Sequence, residues 1–196
     1  MNVWRPLAPF FLDQLFWGDG LGDYVRRPAC TLCDEAYDSS MTRLFRCVQC
    51  GQFLQCERCI RDKHRYNPLH TIKEWNGRFW QEATLHGPQP EGLGEVYQLG
   101  HHGFPCQRPG PVRSMVVVHT KGIFKLQVRF CKCEKEAHAN NLAQLLRNAW
   151  YPATTVDPET CATFEALELY RLLNVVGNIN AYDFVGTLER LTDPTG

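Results

Sequence analysis

Residues 30–70 read CTLCDEAYDSSMTRLFRCVQCGQFLQCERCIRDKHRYNPLH, and this stretch decides how the chain folds. It contains three CxxC pairs and two histidines that follow them, all of them side chains that bind zinc. Eight such ligands complete two tetrahedral zinc sites. The set comprises Cys30, Cys33, Cys47, Cys50, Cys56, Cys59, His64 and His70.

Redox pairs and a disulfide framework are the alternatives for so many cysteines. Two sulfurs about 3.5 to 4 Å apart around one zinc suit the CxxC spacing, which is poor geometry for a bridge within the pair. Residues 1–13 lack the unbroken apolar core and the small-residue cleavage site of a secretion signal. We therefore expect metal-bound thiolates in a reducing compartment.

The order of the ligands favours an interleaved arrangement, or cross-brace. In it the first pair joins the third around one metal, and the second pair joins the two histidines around the other. Sequential pairing of neighbours is the alternative, and the spacing alone leaves it open. We predict short strands over Arg43–Val48 and Gln52–Leu54 and a helical turn over Glu57–His64.

Composition indicates one or two small domains. The 196 residues are 44% hydrophobic, enough for a core, and no apolar run approaches the roughly 20 residues that span a bilayer. The net charge is zero, with a mildly basic first two-thirds and an acidic remainder. A basic group beside the ligands is either a solvated helix face or a phosphate-contacting patch, and it consists of Arg58, Arg61, Lys63 and Arg65.

Two further helices are predicted around the zinc stretch. Phe10, Phe11, Leu15 and Phe16 have helical spacing and predict a short helix that packs on the rest of the chain, followed by a glycine linker. Beyond His70, we predict core positions at Trp75, Phe79 and Trp80, a helix over Arg78–Leu85 and a break at Gly87–Gly94. The predicted regions are residues 1–25 (helix and linker), 26–75 (double zinc finger) and 76–196 (cysteine cluster domain).

A β-rich block follows the break. Glu95–Leu99 and Ile123–Phe130 alternate between apolar and polar residues, and Val112–His119 is rich in β-branched residues. Thr120, Lys121 and Gly122 form a turn between the last two segments. The sequence therefore predicts an antiparallel hairpin.

A third metal site is predicted at the ends of these strands. Cys131 and Cys133 have CxC spacing, which places both side chains on one side of an extended chain. With His101 and Cys106 they make a Cys3His set, and His102 and His119 are substitutes for His101. The alternative is that these are ordinary buried cysteines at a strand end.

The last third of the chain is predicted to be helical. We expect helices over Ala137–Trp150, Pro158–Val176 and Asn180–Leu191, with Cys161 in the core. The fold class is thus a small, zinc-stapled α+β protein. Its predicted parts are an N-terminal cross-brace finger, an antiparallel hairpin region and a C-terminal group of helices.

Several segments resemble a known family. They are WNGRFW (75–80), YQLGHHGFPC (97–106), MVVVHTKGIF (115–124), VRFCKC (128–133), NLAQLLRNAWYPATT (141–155) and AYDFVGTLERLTDPTG (181–196). Together they resemble the region upstream of the catalytic core in fungal KDZ transposases (Kyakuja, Dileera, Zisupton). The spacing of the N-terminal ligands is similar to that of ZZ or B-box zinc fingers.

The resemblance implies a cysteine cluster domain that precedes an RNase H-like DDE nuclease. On this basis Cys106, Cys131 and Cys133 match the family's cluster, and His101 matches its LGH element. Phe124 stands where the family often has His and His119 where it often has Asp, so the resemblance makes neither a ligand.

The function expected is a non-catalytic zinc-binding region of a KDZ-type transposase, acting in recognition of transposon-end DNA or in assembly. The alternative is a reader of peptides or histone tails, using Asp34, Glu35 and Asp38. A RING-type ligase is disfavoured because its histidine lies in the middle of the ligand order, and Cys161 lacks an evident base for nucleophilic catalysis. We expect three zinc ions, a nuclear location and DNA, protein or peptide partners, with no membrane and no small-molecule substrate.

Overall fold

A computed structural model describes residues 3–39, 41–88, 92–101, 104–133 and 140–193 of the chain. The chain divides into two compact units, Met1–Leu93 and Gly94–Gly196, each of which combines a sheet with helices. The predicted α+β class is therefore correct. Among the described residues, no helix combines the length and the apolar character needed to cross a membrane.

The first unit is a four-stranded antiparallel sheet with two α-helices, and its strands are ordered β2-β1-β3-β4. In chain order its elements are α1 (Ala8–Asp19), β1 (Leu44–Cys47), β2 (Gly51–Cys56), α2 (Glu57–His64), β3 (Ile72–Trp75) and β4 (Trp80–Ala83). The strands predicted at β1 and β2 and the helical turn predicted at α2 are confirmed. Short 3-10 turns, Arg5–Leu7 and Gly22–Arg26, flank α1.

The core of this unit is small. One packed cluster in it consists of Phe45, Cys47, Ile60, Ile72, Leu85 and Leu93, and Ala29, Cys30, Leu44, Leu54 and Cys56 are buried as well. Cys47 is one of the predicted ligands, so metal binding and apolar packing share a residue. A core of this size supplies little stability by itself.

Helix α1 forms where predicted, but its packing differs from the expectation. Phe10, Phe11, Leu15 and Phe16 are all exposed. What contacts the sheet is the glycine segment that follows, which had been predicted to be a linker. The Trp80 indole N–H donates to the Gly20 carbonyl at 2.8 Å, and Arg46 donates to the carbonyl of Gly18 at 2.8 Å.

The predicted helix over Arg78–Leu85 is wrong, because β4 pairs with β3 across this segment. Asn76 makes the turn: its side-chain oxygen accepts from the backbone N–H groups of Arg78 and Phe79 at 3.0 Å each. Gly77 has φ +96°, which a glycine adopts without strain. The Asn-Gly pair is a hairpin signal that outweighs the helical spacing of the aromatic residues. Phe79 is exposed rather than in the core.

The second unit is a five-stranded mixed sheet, with strand order β5-β7-β6-β9-β8. Its elements are β5 (Tyr97–Gln98), β6 (Pro109–His119), β7 (Gly122–Cys131), α3 (Asn141–Arg147), β8 (Trp150–Pro152), β9 (Thr160–Thr163), α4 (Phe164–Gly177) and α5 (Ala181–Thr192). The β6–β7 hairpin is confirmed, with His119 opposite Gly122 across the predicted turn. The parallel β5–β7 and β6–β9 pairs had not been predicted.

Two predicted helices begin or end elsewhere. The helix predicted over Ala137–Trp150 corresponds to α3, which ends at Arg147; residues 134–139 lie outside the described ranges. Ala149 has φ +57°, which ends the helical conformation, and Trp150 begins β8. The second begins only at Phe164, because Thr160–Thr163 alternates in burial and pairs as β9. Thr163 then caps α4 by accepting from the N–H of Ala166. The third predicted helix is confirmed as α5.

The second unit also buries apolar residues between its sheet and helices. Its buried hydrophobic residues include Met115, Val117, Leu126, Val128, Phe130, Leu145, Trp150, Cys161 and Leu188. Cys161 lies in this core as predicted, with its sulfur 3.8 Å from that of Met115. Burial raises the pKa of the Cys161 thiol to about 12, which makes it unreactive at neutral pH.

Candidate metal centres

Three groups of cysteine and histidine side chains come together in the described residues, and in each group the ligand atoms lie within 4.8 Å of one another. We name them the four-cysteine cluster (Cys30, Cys33, Cys56, Cys59), the two-histidine cluster (Cys47, Cys50, His64, His70) and the CxC cluster (His101, Cys106, Cys131, Cys133). These are the sets predicted from the sequence. The first two are in the interleaved order rather than the sequential one. All ten cysteines are free thiols.

Two local structures position the four-cysteine cluster. Cys30 and Cys33 flank a turn that docks on the outer edge of β2, where the Thr31 N–H donates to the Leu54 carbonyl at 2.8 Å. The other two ligands lie where β2 passes into α2: Cys56 ends the strand and caps the helix, and Cys59 follows in its first turn. The end of β2 and the start of α2 thus face the turn that carries Cys30 and Cys33.

The spacing within this cluster fits a tetrahedral metal. For zinc–sulfur bonds of about 2.3 Å, the sulfurs of a tetrahedral site lie about 3.8 Å apart. Cys33 Sγ and Cys56 Sγ are 3.7 Å apart. Burial raises the pKa of Cys59 to about 11, whereas for Cys30 backbone hydrogen bonds outweigh burial and lower the pKa to about 7. A bound cation would hold all four as thiolates.

The two-histidine cluster joins the β1–β2 turn to the end of α2. Cys47 ends β1, and the backbone N–H of Cys50 lies 3.4 Å from Cys47 Sγ. His64 is the last residue of α2, and a short loop returns the chain to His70. Cys50 Sγ is 3.5 Å from His64 Nε2 and 3.3 Å from His70 Nδ1, close to the roughly 3.6 Å expected between sulfur and nitrogen ligands of zinc.

Hydrogen bonding selects which nitrogen of His64 could bind a metal. His64 Nδ1 is 2.8 Å from the Ile60 carbonyl, and because a carbonyl only accepts, this nitrogen carries the proton. The lone pair is therefore on Nε2, the atom that faces the cluster. Burial lowers the pKa of His64 and that of His70, which favours the neutral imidazole that a metal requires.

His86 supports this cluster without belonging to it, and sequence reasoning had not singled it out. It is buried, and its Nε2 donates to the Pro68 carbonyl at 3.2 Å. Pro68 lies in the loop between His64 and His70, so His86 holds the segment that carries the second histidine ligand. A lone histidine beyond the ligand run gives no spacing signal for such a role.

The CxC cluster lies at the end of the β7 strand. Cys131 is buried and ends β7, and Cys133 follows with its N–H 3.3 Å from Cys131 Sγ. Cys106 Sγ is 3.9 Å from Cys133 Sγ, and His101 Nε2 is 3.5 Å from Cys133 Sγ. Both distances suit a tetrahedral site, while His101 Nε2 lies closer to Cys131 Sγ, at 3.0 Å. Burial raises the pKa of Cys131 to about 11.

The proposed substitutes for His101 do not join this cluster in the described residues. His119 is at the turn end of β6, where its Nδ1 lies 3.0 Å from Thr163 Oγ1 and its ring is 6.2 Å from that of Phe124. His102 lies outside the described residues. The structure therefore favours His101 as the fourth member.

The basic group lies at exposed or half-buried positions on α2 and at the residue that follows it, beside the first two clusters. Arg61 is 3.7 Å from Glu57, so part of its charge is compensated. The Lys63 ammonium is 6.0 Å from the centre of the Phe53 ring, and the Arg65 guanidinium is 5.9 Å from that of Tyr66. Both rings are exposed, so cations and aromatic surface occur together here.

A family model described as a CxC2 like cysteine cluster associated with KDZ transposases matches residues 91–196, more than half of the chain. The chain belongs to this CxC2 family. The matched range contains the whole CxC cluster, and the other two clusters precede it. No curated protein and no solved structure matches the chain.

The CxC2 match agrees with the resemblance seen in the sequence over most of its length. The segments from residue 97 onward lie inside the matched range, whereas WNGRFW lies before it, in the hairpin of the first unit. The likeness of residues 30–70 to ZZ or B-box fingers continues to rest on ligand spacing. Thiolate and imidazole donors in these proportions are the ligands that zinc takes in structural sites.

Proposed function

We propose that this chain is a non-catalytic region in which three zinc ions stabilise the fold. The observation that carries the proposal is the arrangement of three four-ligand groups with donor atoms within 4.8 Å of one another. Each group uses four protein ligands, which leaves no open position for a substrate or an activated water. Sites of this kind stabilise folds rather than catalyse reactions.

The absence of carboxylates from the second sheet supports a non-catalytic role. A DDE nuclease gathers carboxylates on a sheet to hold two metal ions for phosphoryl transfer. In the described residues, strands β5 to β9 contain no Asp and no Glu. The matched region is a cysteine cluster associated with transposases. On this proposal the nuclease chemistry belongs to a separate catalytic core.

The role proposed for the region is recognition of DNA, or assembly on it, in the nucleus. The basic group on and beside α2 supports this role, because Lys and Arg side chains contact phosphates and exposed aromatic rings stack on bases. Phe53 and Tyr66 beside Lys63 and Arg65 supply such rings. The two clusters around α2 would keep this helix rigid.

The test is a fluorescence-anisotropy titration of the zinc-loaded chain with a labelled mixed-sequence DNA duplex at several salt concentrations. We expect affinity to fall steeply with salt, with a log-log slope of about −0.9 for each phosphate contacted. Lys63→Glu combined with Arg65→Glu should reduce that slope by about two. Arg171→Glu combined with Arg190→Glu is the matched control, because it reverses two exposed charges on the C-terminal helices. Binding that is absent, insensitive to salt or equally weakened in both variants would remove the DNA role.

A reader of basic peptides through Asp34, Glu35 and Asp38 is the alternative, and it has less support. Asp34 pairs with Arg27 at 2.6 Å, and the Glu35 carboxylate lies 3.9 Å from Cys33 Sγ. Asp34 is thus engaged by the chain itself, and the Glu35 carboxylate lies beside a ligand thiol. Tight binding of a Lys-rich peptide, lost when Glu35 and Asp38 become lysines, would reverse this preference.

A further inference from the structure

Gln144 is a buried amide on helix α3, an element that contributes no ligand to the CxC cluster. Only 1% of Gln144 is exposed. Its side-chain oxygen accepts from the backbone N–H of Cys131 at 2.7 Å, and its amide nitrogen donates to the Cys131 carbonyl at 3.0 Å. Both polar groups of a ligand residue's backbone therefore bond to one side chain.

The sheet explains why Cys131 needs such a partner. On one edge β7 pairs with β6. On the other edge β5 is short and pairs only with Val128 and Arg129, with a last bond from the Leu99 N–H to the Arg129 carbonyl at 2.8 Å. Cys131 is two residues after Arg129, so its N–H and carbonyl point to the same edge of β7 as those of Arg129. At that position β5 has already ended. The Gln144 amide takes the place of the missing strand.

The segment that carries His101 packs against the same pair. Gly100 has φ +77°, and a Cβ at this position would lie 3.0 Å from the Cys131 Cβ and 3.2 Å from the Gln144 side-chain oxygen. The residue before the histidine ligand thus touches both Cys131 and Gln144. Gln144 lies between two ligand-bearing segments, and both of its hydrogen bonds to Cys131 are to the backbone.

We propose that Gln144 is a positioning residue for the CxC metal centre, acting through the backbone of Cys131. Its two hydrogen bonds hold the strand end in the orientation that points Cys131 Sγ at His101 and Cys133. Metal binding and the placement of α3 are therefore coupled through one buried amide. The inference rests on the proposed zinc binding and extends it to a residue outside the ligand set.

The test uses the full chain loaded with cadmium-113, whose NMR shift depends on the number of thiolate ligands. The three clusters differ in thiolate number, so each gives its own resonance and can be followed during removal of the metal by a chelator. Gln144→Met preserves the approximate length of the side chain and removes both hydrogen bonds. Tyr97→Phe is the matched control, because the Tyr97 hydroxyl donates to Asn148 at 2.9 Å and also connects this helical region to the sheet without touching a ligand residue.

In Gln144→Met we expect the three-thiolate resonance alone to shift, and its metal to be lost at about 10- to 100-fold lower chelator concentration. In Tyr97→Phe that resonance should keep its shift and its resistance. An unchanged resonance in Gln144→Met, or an equal effect in both variants, would overturn the positioning role. If the unmodified chain shows no three-thiolate resonance, the proposed metal binding itself has failed.

A measurement on the unmodified chain covers the case in which Gln144→Met does not fold. Hydrogen exchange of the Cys131 backbone N–H reports directly on the bond to Gln144. We expect this proton to be protected when the CxC cluster holds metal and to exchange at least about 10-fold faster once the chelator has emptied that cluster, as local opening predicts. Equal protection in both states would contradict the coupling.

Discussion

The two units use the same ligand chemistry in different ways. In the first, eight ligands from residues 30–70 make two interleaved clusters, and Cys47 belongs both to a cluster and to the apolar core. In the second, a single cluster lies at the end of β7, and the buried residues Leu126, Val128 and Phe130 precede it on the same strand. We infer that metal connects most elements of the first unit, whereas in the second unit it stabilises one strand end.

Removal of metal should produce the largest difference between the units. Structural zinc contributes about 10 to 16 kcal/mol of binding free energy to folding in zinc-finger peptides. We expect a chelator to abolish hydrogen-exchange protection in β1 to β4, while β6 and β7 stay protected except at the strand end around Cys131. Mass spectrometry of exchanged peptides measures this. Protection that is lost equally, or retained equally, in both units would break the comparison.

Replacement of single ligands should reveal the interleaving. Cys56→Ser removes a ligand at the junction of β2 and α2. Because α2 also carries His64, we expect both N-terminal metals to be lost. The zinc content should then fall from three to one. Cys131→Ser should leave two, and Cys161→Ser, a core cysteine outside all three clusters, should leave three. Metal analysis by native mass spectrometry distinguishes these counts. Two zincs in Cys56→Ser would mean that the clusters are independent.

The ligand sets could be predicted because CxxC and CxC spacings encode short-range geometry that does not depend on the rest of the fold. The interleaved order was favoured because it is the common arrangement for four ligand pairs. In the structure, α2 begins between Cys56 and Cys59 and carries His64 one and a half turns further on. Whether metal is bound stays a prediction.

Long-range contacts were not predictable in the same way. Thr160–Thr163 is a strand because it pairs with β6, which is distant in sequence. Trp150 has the apolar spacing of the helix before it, yet it lies in β8, beyond the end of that helix at Arg147. Gln144 and His86 carry no motif, since each acts through the backbone of a distant residue. The Asn76–Gly77 turn was a readable signal, because Asn-Gly is a strong short-range indicator of a hairpin.

A core substitution should affect the second unit alone and to a smaller extent. Leu126 is fully buried in β7, and Leu126→Ala should lower the free energy of unfolding of this unit by about 2 to 5 kcal/mol. Zinc content should not change, because the CxC cluster lies at the far end of the strand. Urea unfolding followed by intrinsic fluorescence, beside metal analysis, measures both quantities. Lys125→Ala, at the exposed neighbouring position, is the control.

The titration of Cys161 should have no effect on stability at neutral pH and should become measurable only above pH 9. Burial raises the pKa of this thiol from 9.0 to about 12, so its contribution to stability is complete below pH 9 and is lost as the pH rises toward 12. Relative to Cys161→Ala, the chain should lose about 1.4 kcal/mol of unfolding free energy for each pH unit above 9. Urea unfolding of both chains across this range tests it. Parallel curves would show that Cys161 ionises as readily in the folded state.

The measurement that tests the central claim most directly is native mass spectrometry of the purified chain. Three zinc ions per chain, with a protein mass that corresponds to ten reduced cysteines, is the predicted result. Two zincs would remove the CxC centre and leave the finger. A metal-free chain whose mass is lower by the hydrogens lost in disulfide bonds would contradict the account as a whole.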